Sequence, residues 1–353
     1  MKKFPLPLAA LALVAAAGAH AQSNVQVYGL LDLGIDNSNN AGPNGGTLTR
    51  VSSGGMNTSR WGLRGSEDLG GGLKAVFQLE GGILMDTGAQ DGALFKRQAN
   101  VGLEGSFGRV VIGRSFTSVY DVVIGFDPMG FAPFYSWATS GPATGPSKYG
   151  FTTQYDNLIK YSGKWENFKF GANYGFGEQT TGVRDSAKMG FTGVYDIGGL
   201  SLMSTWERTN GNTLPTTGNR DKNTVWHVGA NYVAGPMRLT AVVRDYKLVA
   251  GKALTPDVDA TTYWGGIAYK TNEVTTLTGA VYYVNVKNVA TGKDADPIMY
   301  VARYRYALSK RTDLHMTAAY AKSKNGQLTG LSRDDAGYGE SQHGVMAGIQ
   351  HRF

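Results

Sequence analysis

Ten basic residues fall on one parity of this chain's alternating segments: Arg60, Arg64, Lys74, Lys160, Lys169, Lys188, Arg238, Arg244, Arg303 and Arg305. The acids of that parity are Asp32, Asp36, Glu80 and Asp156. Side chains of one parity share one face of a strand. A face so biased does electrostatic chemistry, because a narrow low-dielectric passage focuses its field and concentrates anions. The plainer reading of any single member is a rim position that only solvates the surface. Opposite charges stand in the longest link, where Tyr120–Pro128 carries Asp121 and Asp127. Carboxylates facing arginines across water set up a transverse field that penalises apolar solutes. The alternative for either aspartate is a helix cap inside the link. Phe126, Phe131, Phe134, Tyr135 and Trp137 of the same link read as a wedge against a wall rather than a sugar platform.

Covalent chemistry has little to work with. Beyond residue 21 the histidines are His227, His315, His343 and His351, and no two have metal-ligand spacing. There is no cysteine and no Gly-x-Ser-x-Gly. Gly102, Gly105 and Gly108 span a strand end and a tight turn with no helix following, so they do not form a phosphate loop. The expectation is no enzyme, no cofactor and no metal. Charges are scattered singly, which argues against nucleic acid as a partner.

The elements that position these side chains announce themselves by period two. Phe168, Phe170, Ala172, Tyr174 and Phe176 alternate with Lys169, Gly171, Asn173 and Gly175. Val345, Ala347, Ile349, His351 and Phe353 alternate with Gly344, Met346, Gly348, Gln350 and Arg352. Such strands have one apolar and one polar face. In a soluble sandwich the apolar face makes a core; in an outer-membrane barrel it meets lipid.

The start of the chain decides between them. Met1-Lys2-Lys3, an apolar stretch from Leu6 to Gly18 and Ala19-His20-Ala21 read as a signal peptide cleaved after Ala21. Removing residues 1–21 leaves 332 of the 353 residues and lowers the net charge from +7 to +5, since Lys2 and Lys3 go with it. No later apolar run reaches the ~20 residues of a membrane helix. An exported chain without cysteine has no disulfides to hold it, so it needs a large closed hydrogen-bond network.

Sixteen segments carry the pattern, joined by links that alternate short and long. The short ones include 105–108, 164–165, 197–198, 234–235 and 271–272; the long ones include 37–55, 83–94, 117–152 and 323–340. The predicted fold is all-β, a 16-stranded antiparallel transmembrane β-barrel over residues 22–353. It has short periplasmic turns, long extracellular loops and both termini on the periplasmic side. A barrel of that size leaves an aqueous channel. The third loop, residues 117–152, is the natural one to fold inward and narrow it.

Arg60–Ala75, beginning Arg60-Trp61-Gly62-Leu63-Arg64-Gly65-Ser66-Glu67-Asp68, is very similar to the second and third strands of general porins of the beta-proteobacterial type. Phe95-Lys96-Arg97-Gln98, Asp156-Asn157 with Lys160-Tyr161, Phe170–Tyr174 and the ending His351-Arg352-Phe353 resemble other parts of the same family. The resemblance spans residues 22–353. It implies a homotrimer of 16-stranded barrels in the Gram-negative outer membrane, each a passive diffusion pore for small hydrophilic solutes. Its implied partners are outer-membrane lipid, lipopolysaccharide and, during biogenesis, the barrel-assembly machinery.

By the resemblance Arg60 and Arg97 are the best supported lumen cations. Strict alternation puts Arg97 on the lipid side with Ala99 and Val101; a bulge at the strand end would turn it inward. Gln154 stands where many relatives have a lumen arginine. The pore-lining set expected is therefore Arg60, Arg64, Lys74, Arg97, Asp121, Asp127, Gln154 and Lys160. With two loop acids facing two arginines, the narrowest place sums to about zero and the preference for anions is weak to moderate. Phe353 is implied as the assembly signal, although an aromatic-girdle role would also suit it. Leu31 and Leu33, on the outer parity near Gly29, are expected at the trimer interface.

Two rival readings differ in class. A substrate-specific channel for an organic acid or sugar would need a line of lumen aromatics, and lumen parity offers only Tyr28, Trp264 and Tyr282. An outer-membrane enzyme would need the motifs that are missing.

Overall fold

The computed structural model describes residues 24–141 and 149–353. The expected signal peptide, residues 1–21 with cleavage expected after Ala21, lies outside the described residues. The strands are β1 (Asn24–Ser38), β2 (Leu48–Ser53), β3 (Arg60–Gly70), β4 (Leu73–Gly82), β5 (Gln98–Gly105), β6 (Gly108–Phe116), β7 (Gln154–Trp165), β8 (Phe168–Gly175) and β9 (Lys188–Ile197). They continue as β10 (Leu200–Asn210), β11 (Lys222–Ala234), β12 (Met237–Val249), β13 (Val258–Lys270), β14 (Thr275–Lys287), β15 (Ile298–Ala307), β16 (Thr312–Lys322) and β17 (Ser341–Arg352). From β3 onward every strand pairs antiparallel with the next, and β17 pairs with β1 from Leu30↔Arg352 to Ser38↔Gly344. The sheet therefore closes on itself.

β2 and β3 lie end to end along β1. Asn24–Leu30 pairs with Ser66–Arg60, and Leu33–Ser38 pairs with Ser53–Leu48. Together they make one stave, and the barrel has sixteen. The first long link is consequently shorter than the expected 37–55: it runs over 39–47, and a second excursion occupies 54–59. The six residues of β2 carry too little alternation to register, with Val51 its one strong outward apolar residue. The excursion is pinned by Asp32, whose Oδ2 accepts from the N–H groups of Met56 (3.1 Å) and Asn57 (2.8 Å).

Exposure runs opposite to that of a soluble protein. Val25, Val27, Ile35, Val101, Ile112, Phe191, Val228, Tyr300 and Met316 are exposed, whereas Asp32, Asp36, Glu80, Glu207, His227, Arg244, Arg303 and Asp313 are buried. The apolar parity faces outward and the polar parity inward. That is the arrangement a bilayer demands of a closed sheet. Two-residue links join β3 to β4, β5 to β6, β7 to β8, β9 to β10 and β11 to β12, all at one end of the barrel. The longest link, between β6 and β7, starts with α1 (Ser118–Val123), capped by Thr117, whose hydroxyl accepts from Tyr120 N–H at 3.0 Å. A 3-10 turn, Ile124–Phe126, follows.

Candidate functional site

The link between β6 and β7 is held from the far side by inward-facing donors on β11 to β15. Asn231 and Arg238 donate to the carbonyl of Gly125, and Trp264 Nε1 donates to that of Phe126 at 2.9 Å. Arg303 donates to Met129 O at 3.3 Å, and Arg244 to Ala138 O at 2.6 Å. The link between β16 and β17 supports it as well. Its Leu331 carbonyl accepts from Trp137 Nε1 at 3.1 Å, and its Arg333 donates to Phe131 O at 3.2 Å. Phe126, Phe131, Tyr135 and Trp137 are all buried, so the aromatics of the link pack as a wedge.

An opening of about 720 Å³ remains between this link and the wall of β3 to β7. Arg60, Arg97, Arg114 and Gln154 line it from the wall side, Tyr120, Ile124, Gly130, Phe131 and Phe134 from the link, and Arg333, Asp334 and Asp335 from the last link. Arg97 stands just before β5. Its N–H meets the carbonyl of Glu80, the residue that Gln98 also faces, so two residues oppose one and the guanidinium turns inward. Arg97 Nε then lies 2.7 Å from Glu80 Oε1 and its guanidinium 5.0 Å from the centre of the Phe116 ring. Arg60 shares the same carboxylate at 3.9 Å. Glu80 itself is buried, also accepts from Tyr28 OH at 2.8 Å, and does not line the opening.

The other expected residues lie elsewhere. Arg64 is exposed on β3, bonded to Gln26 Oε1 at 2.8 Å and stacked over Tyr28. Lys74 is exposed near the short-turn end, opposite Asp68 and Glu104. Lys160 Nζ sits 2.7 Å from Asp121 Oδ2, and the pair borders a separate recess with Gln78, Gln98 and Arg109. Asp127 does not reach water. It is 5% exposed, and its oxygens accept from the N–H groups of Met129 (3.1 Å) and Phe131 (2.7 Å), from Ser136 Oγ (2.7 Å) and from Tyr282 OH. The expected face-off of Asp121 and Asp127 against Arg60 and Arg97 is therefore absent from this opening. One carboxylate bonds a neighbouring lysine instead, and the other organises the link's own turn.

Of the inward cations, Arg238, Arg244 and Arg303 bond to main-chain carbonyls rather than to carboxylates. A carbonyl orients a guanidinium without cancelling its charge, so the wall keeps its positive potential. Sequence reading missed Arg114 and Arg333. Alternation sends Arg114 outward, and nothing in the spacing of the last link singles out Arg333.

Residues 8–326 match the Gram-negative porin family. The chain belongs to it. This porin is 34% identical over 361 residues to outer membrane porin protein 32 of Delftia acidovorans, covering 98% of this chain and 99% of that one. It is 29% identical to an outer membrane porin of Bordetella pertussis over the full length of both. Among solved structures it is similar to an anion-selective porin from Comamonas acidovorans, with TM-score 0.80, 29% identity and coverage of 94% of this chain and all of the other. The fold also matches OmpT of Vibrio cholerae at TM-score 0.71 and 17% identity, covering 95% and 100% of the two chains. The porin resides in the outer membrane of a Gram-negative bacterium.

Proposed function

We propose that this porin is a passive diffusion channel for small hydrophilic solutes and ions, with a weak to moderate preference for anions. It catalyses no reaction, and the β6–β7 link forms its constriction from within the lumen. The observation that supports this reading best is the placing of charge around the opening. Arg60, Lys96, Arg97, Arg114 and Arg333 line it against the carboxylates Asp91, Asp334 and Asp335, while Glu80 and Asp156, bonded to three of the arginines, do not. Cations outnumber carboxylates along the opening. The anion-selective relative from Comamonas acidovorans points the same way. At physiological salt, charges beyond ~8 Å are screened, so the nearest arginines set the preference.

The working unit is a homotrimer in contact with outer-membrane lipid and lipopolysaccharide, assembled by the barrel-assembly machinery after cleavage behind Ala21. Pore-lining roles go to Arg60, Arg64, Lys74, Arg97, Gln154 and Lys160. Asp121 screens Lys160, and Asp127 holds the shape of the constriction. Reconstitution of purified protein in a planar bilayer tests the reading. Conductance in steps grouped in threes, linear in voltage and not saturating as salt rises, is the expected result. Saturation at low solute concentration would favour a substrate-specific channel instead.

A further inference from the structure

Arg114 belongs, by strict alternation, with Val110 and Ile112 on the lipid side of β6, and a lone cation there would be costly. It stands opposite a bulge whose extra residue lies on β7, while β6 itself stays in register with β5, Ala99 facing Arg114. Gly113 pairs with Leu158 and Ser115 with Tyr155, so Asp156 and Asn157 together face Arg114. Both strands bend into left-handed backbone to make the bulge, Gly113 at φ +126° and Asn157 at φ +55°. The bulge brings the Asp156 carboxylate against the Arg114 guanidinium at the cost of one ladder position. The guanidinium is then held from two sides, by the carbonyl of Lys96 and by the Asp156 carboxylate. It lines the opening with Arg60 and Arg97, but Asp156, two-thirds exposed, does not.

We propose that Arg114 is a specificity-determining cation of the constriction, held at the opening beside the β6–β7 bulge, and that Asp156 moderates its pull on anions from behind. The proposal rests on the anion-preferring channel reading above and names a further residue that carries it. The pair works as an oriented dipole, with the positive end toward the solute path. A solute anion passing at the arginine is attracted, and the carboxylate behind weakens that attraction without abolishing it. The favoured solutes are small inorganic and carboxylate anions that fit beside the Phe116 and Tyr120 rings.

The test is the reversal potential of single trimers across a potassium chloride gradient at about 10 mM mean salt, where screening reaches out to ~30 Å. Arg114→Gln should lower the chloride-to-potassium permeability ratio by roughly twofold. Arg114→Lys should hold it near wild type. Asp156→Asn should raise it, because the same ion pair is broken while the cation stays. Gln154→Arg in the Arg114→Gln background should restore the ratio, since residue 154 borders the same opening. Arg114→Gln and Asp156→Asn moving in the same direction, or neither moving while heat-resistant trimers form normally, would overturn the proposal. A wild-type pore without anion preference would instead defeat the channel reading on which it rests.

Discussion

Phe353 lies on Gly29. The N–H of each donates to the carbonyl of the other at 3.1 Å, extending the β1–β17 ladder by one pair to the last residue. The phenyl ring covers the space where a side chain at position 29 would stand; a Cβ built there falls 2.3 Å from Phe353 Cζ. The seam that closes the barrel thus ends in a ring seated on a glycine. Removing Phe353 should reduce assembled trimer in the outer membrane several-fold. Gly29→Leu should do the same while leaving the terminal aromatic intact, because overpacking of this kind costs about 1–3 kcal/mol. Quantitative immunoblotting of heat-resistant trimer in outer-membrane fractions reads both. Normal assembly of the Phe353 deletion would contradict the assembly role. Normal assembly of Gly29→Leu alone would confine that role to recognition of the terminus.

Leu31 and Leu33 follow Gly29 on the outward face of β1, half-buried among their neighbours, while Val25, Val27 and Ile35 stand about 60% exposed. An aliphatic surface of this kind suits contact with another copy, whereas β13 to β16 present Tyr263, Tyr300, Tyr304 and Tyr320 outward, as lipid interfaces do. Leu31→Asp or Leu33→Asp should yield inserted monomers, visible as loss of the trimer band in unheated gels. Trimers persisting in SDS would move the interface elsewhere.

Arg244 anchors the β6–β7 link, the proposed constriction, rather than lining the opening. It is fully buried on β12, donates to Ala138 O, Trp137 O and Thr262 Oγ1, and lies 5.6 Å from the centre of the Trp264 ring. Arg244→Met should free the later part of the link, leaving carbonyls unpaired at about 1–3 kcal/mol. The expected readouts are noisier, larger conductance steps and a lower unfolding temperature of the trimer. Unchanged conductance would show that the remaining anchors, Trp264 and Arg303 among them, suffice.

Most of the barrel was legible because its signal is redundant. Each stave repeats one alternation, and a wrong boundary at one end does not change the count. β2 escaped because six residues with a single outward valine carry almost no alternation. The wall charges were legible as a set and not one by one. Arg97 sits at an irregularity where parity fails and Arg114 opposite one on β7, and the β6–β7 bulge is set by left-handed residues such as Gly113 and Asn157 rather than by hydrophobic pattern. Asp127 illustrates a different limit. A loop carboxylate that faces arginines in a linear reading is, in three dimensions, closed off by the N–H groups of its own turn and by Tyr282. No spacing rule reports which backbone donors a loop will fold around.

Arg60 carries the next prediction. It faces the opening and shares Glu80 with Arg97 at the longer distance, so its charge is the less neutralised of the two. Arg60→Ser should shift the reversal potential toward cations and enlarge the single-channel conductance, since a long side chain is removed along with a charge. A conductance that grows without any shift in selectivity would assign Arg60 a steric role only.

The sign of the field at the proposed constriction is reported directly by one number. That number is the zero-current potential of the wild-type trimer in a planar bilayer, across a potassium chloride gradient at low salt. The excess of cations around the opening, Arg60, Lys96, Arg97, Arg114 and Arg333 against Asp91, Asp334 and Asp335, predicts a potential of anion-preferring sign, fading as salt rises and the Debye length falls from ~30 Å at 0.01 M to ~3 Å at 1 M. A strongly cation-selective potential at low salt would contradict it.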